Sequence, residues 1–505
     1  MRVFLLAPES DFDVDASLPP NEDALVQDLG LEKIFQVMAA GDPFLQPVAR
    51  QVLLTSLTNI EEIRYRQDVL RECIEHPAIV REIYELVVET LVGINKVSFL
   101  GIGFFSKDNP EITLHRAVQQ LKFLSNMLAK AWYLGNKYQR EFHSAGWSRF
   151  FGMLCTELDE NYLKEIAGHL DELGFRNGVL ITAGLGDGLK GSGYTLLKNP
   201  NVRSSWLSRI TSPKKRRSAN TIVIPDRDEA GFKALEELRG RGINSAANAV
   251  AKSSDHVLAF FNELRFELAF YIGCLNLYSA LTKKGEPLCF PQPVPMGEPT
   301  LSCRGLYDPS LALRIPNPCA GNDIDAVGRL LVMVTGANQG GKSTFVRSVG
   351  TAQLMMQCGM FVAASSFSCD IRSTVFTHFK REEDKEMKSG KLEEELYRMS
   401  EILDHLSRGS IVILNESFSS TNEREGSEIA RQLVRAMLDA GIKVLYVTHF
   451  FDLASSFYRS REFNSLFLRA NRRIDGTRSF VLVEGEPLPT VYGGDIYQQV
   501  FGAAP

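Results

Sequence analysis

The chain has 505 residues, is 44% hydrophobic and 23% charged, and carries a formal net charge of −5 at pH 7. Such a length predicts several domains and ample material for a large core, and the composition excludes a disordered or fibrous protein. The acidic balance excludes a uniformly basic nucleic-acid coat but leaves local basic patches open. Eight scattered cysteines, with no close pair at metal-ligand spacing, point to a reducing compartment and to small core residues. The N-terminus, Met-Arg-Val-Phe-Leu-Leu-Ala-Pro-Glu, is too short in apolar residues for a signal peptide. The most apolar stretch, Val257 to Leu281, is broken by Glu263, Arg265 and Glu267, so no membrane span and a cytoplasmic location are expected.

Residues 1–20 are acidic, end in Pro19-Pro20, and read as a flexible lead-in. From 21 to about 175 the pattern is helical, with apolar residues three and four apart. Ile60 to Leu70 and Ile79 to Val92 are clear amphipathic examples. Composition changes near 176. Asn177 to Ala183 reads as a strand, a glycine-rich loop runs from Gly184 to Gly193, and Tyr194 to Lys198 reads as a second strand. Gly186-Asp-Gly188-Leu-Lys-Gly191 formally matches a dinucleotide fingerprint, but a strand follows it where that motif needs a helix, so a β-rich insertion is favoured. Ser212-Pro-Lys-Lys-Arg-Arg-Ser218 lies between Trp206 and the strand-like Thr221-Ile-Val-Ile224. Its four cations suit either a phosphate backbone or a solvated loop.

A long helix is predicted from 246 to 284, with Val257, Phe261, Leu264, Leu268, Tyr271, Leu275 and Tyr278 on a heptad seam. At roughly 1.5 Å per residue it would span about 58 Å, and it suits either a lever or an ordinary core helix. Residues 285–318 hold eight of the 21 prolines and mark a junction between domains.

Beyond the junction the signals become chemical. A buried strand, Leu330 to Val334, leads into Gly336-Ala-Asn-Gln-Gly-Gly341-Lys342-Ser343, which fits a phosphate loop of Gly, four residues, then Gly-Lys-Ser. A helix with Phe345, Val346, Val349 and Leu354 on its apolar side follows and ends before Gly359. Glycines let backbone N–H groups approach phosphate oxygens, and the helix N-terminus favours anions. Lys342 would reach the β- and γ-phosphates and Ser343 would ligate Mg²⁺. A second strand, Ser410 to Leu414, ends in Asn415-Glu416, where an acidic Mg²⁺ partner and a water-orienting Glu are usual. Asn415 brings no charge, which predicts weaker Mg²⁺ or nucleotide affinity. A third strand, Lys443 to Thr448, ends in His449, a candidate γ-phosphate sensor. Ligands of parallel sheets gather at such carboxyl ends. Structural roles for Glu416 and His449 are the alternatives. The tail from Tyr492 to Gly502 reads as one short helix.

These residues resemble the MutS family of DNA mismatch-repair ATPases. Thr335-Gly-Ala-Asn-Gln-Gly-Gly-Lys-Ser-Thr344 is similar to the family's Thr-Gly-Pro-Asn-Met-Gly-Gly-Lys-Ser-Thr. Asn415-Glu-Ser-Phe-Ser-Ser-Thr-Asn-Glu-Arg-Glu-Gly426 resembles its Asp-Glu stretch, Val447-Thr-His-Phe-Phe451 its Ala-Thr-His-Tyr-Phe, and Val375-Phe-Thr377 its Ile-Phe-Thr. Pro316-Asn-Pro and Asn322-Asp323 resemble its lead-in. Over 45–290 the likeness is weaker, with Arg66-Gln67 and the long helix resembling the core and lever domain. The departures are Asn415 and the signature loop, here Ser389-Gly-Lys-Leu-Glu-Glu-Glu395 without its Ser-Thr. A mismatch-reading wedge domain, an extended C-terminal dimerisation segment and an appended nuclease have no visible counterpart.

The resemblance implies a multidomain protein: a flexible lead-in (1–20), a mainly α-helical core and lever domain (21–290) with a small clamp-like β-rich insertion (about 176–245), and an α/β ATPase domain of ABC type with a mainly parallel sheet (291–505). It implies a homodimer that binds double-stranded or branched DNA and uses ATP and Mg²⁺ in repair or recombination. Gly336, Asn338, Gly340, Gly341, Lys342, Ser343 and Thr344 would hold the nucleotide, Ser343 and Asn415 the metal, and Glu416 and His449 would serve catalysis. A slow ATP switch with little hydrolysis and a structured-RNA or ribosome-associated ATPase are the competing expectations.

Overall fold

The computed structural model describes residues 1–100, 110–175, 178–187, 191–197, 224–225, 228–336, 339–381, 390–472, 478–489 and 502. Asn338, the basic run 212–218, most of the strand expected at 221–224, Ser389 and nearly all of the tail 492–502 lie outside these residues. The described helices are α1 (Glu22–Leu29), α2 (Glu32–Ala39), α3 (Leu45–Leu54), α4 (Ile60–Glu75), α5 (Pro77–Leu100), α6 (Pro110–Tyr138), α7 (Ala145–Glu157), α8 (Glu160–Glu172), α9 (Glu229–Thr282), α10 (Pro309–Ala312), α11 (Lys342–Gln357), α12 (Lys391–His405), α13 (Glu423–Asp439) and α14 (Phe451–Ser460). The strands are β1 (Leu180–Leu185), β2 (Gly191–Leu197), β3 (Gln292–Val294), β4 (Leu301–Leu306), β5 (Asn322–Asp325), β6 (Leu331–Thr335), β7 (Ser366–Asp370), β8 (Val375–Phe379), β9 (Ile411–Asn415), β10 (Lys443–Val447), β11 (Ser465–Arg472) and β12 (Arg478–Glu484).

The chain divides into two compact units. The first comprises residues 1–3, 81–142 and 148–265. Its described residues are helical apart from the antiparallel hairpin β1–β2 and short connections, and they close around Leu114, Val118, Leu170, Ile243 and Ala247. The hairpin rests on α9 where Gly242 leaves room for Ile181: a Cβ at Gly242 would stand 2.4 Å from the Ile181 side chain. As the sequence predicts, a strand, β2, stands where a dinucleotide motif would need a helix.

The second unit comprises residues 4–80, 143–147 and 266–505. Its main sheet has the order β12-β11-β6-β10-β9-β8 and is parallel except at β12. The inner strands are apolar runs because helices cover both faces. On one side Val412, Leu414, Val444 and Tyr446 pack with Val434, Met437 and Leu453. On the other, α11 comes so close that a Cβ at Gly350 would meet Ile413 at 2.9 Å and Leu29 of α1 at 2.7 Å. Asn422 caps α13 by accepting the Glu425 N–H at 3.0 Å, so that helix begins just past the β9 loop. A second, four-stranded sheet has the order β3-β7-β4-β5.

Three sequence expectations change. The flexible lead-in expected at 1–20 is instead anchored. Val3, Leu5 and Leu6 are buried, and the Leu5 and Leu6 N–H groups donate to buried Glu267 at 2.7 and 3.1 Å. Arg66 also donates to the Leu6 carbonyl at 2.9 Å. The long helix begins at Glu229 rather than 246 and runs 54 residues, about 81 Å at ~1.5 Å per residue. The Ala, Leu, Glu, Lys and Arg of 229–241 outweigh glycines that cost about 1 kcal/mol each, so part of the stretch assigned to the insertion is helix. Finally, one of the boundaries between the compact units falls inside this helix, between Arg265 and Phe266, where the sequence marks none. No described helix is long and apolar enough to cross a membrane.

Candidate functional site

β6 delivers the chain to the phosphate-loop motif through five fully buried residues. The loop then turns through left-handed conformations at Gly336 (φ 111°), Gln339 (φ 60°) and Gly341 (φ 91°). Two of these require glycine on steric grounds as well. A Cβ at Gly341 would lie 3.0 Å from the Phe480 carbonyl oxygen, and one at Gly336 3.0 Å from the Ala470 nitrogen. Gly341 then caps α11 with no side-chain hydrogen bond, so the positive end of that helix, with Ser343 and Thr344 in its first turn, is turned to the loop. Gly340 is buried within it.

Lys342, 4% exposed, folds back so that Nζ donates to the Gly336 carbonyl at 2.9 Å. Burial lowers its pKa, and the Glu416 carboxylate opposes that shift. A partly desolvated ammonium on a glycine-lined loop at a helix N-terminus fits a phosphate chain.

Neighbouring strand ends complete the site. The Ser343 hydroxyl donates to Asn415 Oδ1 at 3.0 Å, joining the start of α11 to the end of β9. Thr448 N–H reaches the Val334 carbonyl at 3.0 Å, Glu416 N–H the Val447 carbonyl at 2.9 Å, and Lys380 N–H the Asn415 carbonyl at 2.9 Å. These bonds extend the parallel ladders by one residue, so the ends of β6, β10, β9 and β8 are held in register. Glu416 itself adopts φ 55°, a conformation uncommon outside glycine. His449 reaches solvent, with its ring edge-on to Phe450 at 4.7 Å between centroids. Partial burial lowers its pKa, Glu416 raises it and Lys380 lowers it again, so the imidazole is mainly neutral at pH 7.

The residues singled out in sequence therefore gather at one end of one sheet: Gly336, Gly340, Gly341, Lys342, Ser343, Thr344, Asn415, Glu416 and His449. Ser343 and Asn415, joined by that hydrogen bond, are the oxygen donors that could hold a metal ion. Lys380 escaped notice. It follows the β8 run Val375–Phe379, so the strand-end rule applied to a fourth strand would have found it. Glu395, the part of the signature loop that aligned, is buried and accepts the Ser420 hydroxyl at 3.0 Å.

Comparison with known families agrees over most of the chain. The MutS2 N-terminal domain matches residues 58–284 and MutS domain V matches residues 332–496. The chain belongs to the MutS family. Among relatives, this MutS-family chain is 33% identical over 132 residues to the DNA mismatch repair protein MutS of Desulforamulus reducens, covering 26% of this chain and 15% of that protein. It is 28% identical over 225 residues to the protein of the same name from Thermotoga petrophila, covering 44% and 27%. With MutS protein homolog 4 of Mus musculus it shares 28% over 155 residues, covering 30% and 16%. The alignments thus span roughly a sixth to a quarter of the relatives' own length.

Proposed function

We propose that this MutS-family chain is an ATPase that acts on DNA, binding ATP with Mg²⁺ at the carboxyl end of the six-stranded sheet. The α/β part would serve as an ABC-type nucleotide domain within a homodimer. The observation that supports this reading is the bond of Ser343 to Asn415 at 3.0 Å, with Lys342 next in the chain, because a hydroxyl, an amide oxygen and an ammonium together suit a metal–triphosphate. Gly336, Gly340, Gly341 and the first turn of α11 would receive phosphate oxygens through backbone N–H groups, and Lys342 would neutralise their charge. When bound, Mg²⁺ would supply charge neutralisation to the phosphate chain.

Glu416 would accept a hydrogen bond from the attacking water and take its proton as the water oxygen bonds to the γ-phosphorus and the bridging oxygen leaves with ADP. Neutral His449 would donate a hydrogen bond to the γ-phosphate. α9 contributes to both compact units, and in this reading it is the lever that carries the nucleotide state to the hairpin-bearing unit, which closes on DNA by its structure rather than by a mismatch wedge.

Steady-state ATPase measurement with Glu416→Gln tests the assignment. Turnover should fall on the order of 10²- to 10⁴-fold while ATP affinity stays within about twofold. Unchanged turnover removes Glu416 from the role. Stimulation of the wild-type rate by plain, mismatched or branched duplexes, compared with RNA, identifies the target.

A further inference from the structure

Directly behind Glu416 runs a buried polar chain that phosphate chemistry does not itself employ. His378, on β8, and Ser417, next to Glu416, are both 0% exposed. His378 Nδ1 lies 2.7 Å from Ser417 Oγ, and Nε2 lies 3.0 Å from the backbone carbonyl of Glu395 in α12. The ring stacks on Phe418 at 5.6 Å, with 25° between planes.

Proton bookkeeping gives this chain one direction. Burial, helped by the nearby Arg398 charge, pushes the imidazole pKa down to about 3, so the ring is neutral and carries one N–H. A carbonyl can only accept, so that hydrogen is on Nε2. Nδ1 is then an acceptor, and the Ser417 hydroxyl must donate to it. The hydroxyl also lies 2.8 Å from the His378 carbonyl, but turning that way would leave a buried nitrogen unsatisfied. Tyr446 fixes the other side of Ser417 by donating to its carbonyl at 2.9 Å.

The chain holds a strained segment. Glu416 (φ 55°) and Phe418 (φ 63°) flank Ser417, and both are left-handed without being glycine. Such conformations are strained and persist only where the surroundings over-determine them. Glu395 grips the same loop a second time, through the Ser420 hydroxyl on its carboxylate.

We infer that His378 is a positioning residue for Glu416, tying the strained loop that aims the carboxylate to α12. This rests on the reading of Glu416 as the residue that orients water. Displacing the carboxylate should therefore impair turnover and leave nucleotide binding intact.

The test uses the full chain with ATP. His378→Phe keeps a stacking ring of similar size and removes both polar ends. Its kcat should fall about 10- to 100-fold, the scale of a misplaced catalytic group, with ATP Kd within about twofold. His378→Gln, which can still donate to the Glu395 carbonyl, should recover part of the loss. Ser417→Ala should lower kcat in the same way, and the double variant His378→Phe with Ser417→Ala should be no worse than the more severe single one. If His378→Phe does not fold, Ser417→Ala decides the matter alone. The inference is overturned if kcat per folded molecule stays within twofold of wild type while Glu416→Gln is inactive, or if the two losses multiply. Normal turnover by Glu416→Gln would instead remove the underlying assignment, and this inference with it.

Discussion

At the amino end of β10, Lys443 is wholly buried; its ammonium donates to the Thr300 carbonyl at 2.8 Å and lies 3.4 Å from Asp370, which also pairs with buried Arg372. At the carboxyl end of the same sheet, Lys342 is almost as buried but bonds the carbonyl of its own glycine loop, with Glu416 as the opposing charge. Burial lowers the pKa of both. The difference lies in the company each keeps. Lys443 has a fixed buried counter-ion and joins the two sheets of its unit. Lys342 stands where glycines and an uncapped helix end would welcome an anion from outside. Burial of a lysine thus says little about its purpose until its partners are known.

The contrast can be broken most forcefully at Lys443. Lys443→Ala should cost about 3–5 kcal/mol in denaturant unfolding, because it breaks a buried ion pair at Asp370. ATP affinity of the folded fraction should be unchanged. Lys342→Ala should do the reverse: stability within about 1 kcal/mol and ATP affinity lower by roughly a hundredfold or more in calorimetric titration, since it removes a charge-assisted phosphate contact. Equal effects of the two substitutions on stability would erase the distinction.

A smaller change sharpens the carboxyl end. Asn415→Asp adds a charge to the oxygen that Ser343 contacts, and should tighten Mg²⁺ dependence of nucleotide binding about tenfold, a fraction of the ~4 kcal/mol that one charge pair is worth at 4 Å before desolvation. A last prediction concerns pH. His378 has its pKa held down to about 3 when folded, against an ordinary 6.5. Between those values the unfolded chain binds a proton that the folded chain refuses, so stability falls as pH drops from 6.5 toward 3, by up to roughly 1 kcal/mol per unit. His378→Phe should flatten that slope in acid denaturation.

Much of the carboxyl end of the main sheet could be read in advance because its strands are buried on both faces. Leu331–Thr335, Ile411–Asn415 and Lys443–Val447 appear as short apolar runs with chemistry at their ends, and a parallel sheet brings those ends together. The heptad seam likewise marked the part of α9 where Phe261, Leu264, Leu268, Tyr271 and Leu275 are buried. Its earlier turns lack such a seam: Phe232, Leu235 and Leu238 are exposed, so only propensity marks them, and three glycines masked that signal. Residues 1–20 were opaque for another reason. Their anchor, Glu267, lies 262 positions away from Leu5, and no local pattern encodes such a partner. His378 was hidden similarly, since a histidine inside an apolar strand gives no hint of the serine and carbonyl it joins.

One detail of the glycine loop bears on how sequences of this kind can drift. The atoms that crowd Gly341 are the main chain of Phe480, and those nearest Gly336 are the main chain and Cβ of Ala470, on a strand pair whose register shifts between Ala470 and Arg472. Replacing outward side chains on that pair leaves the wall of the cradle standing, whereas inserting or deleting a single residue there slides the wall itself. The hairpin should therefore tolerate wide variation in letters and almost none in length.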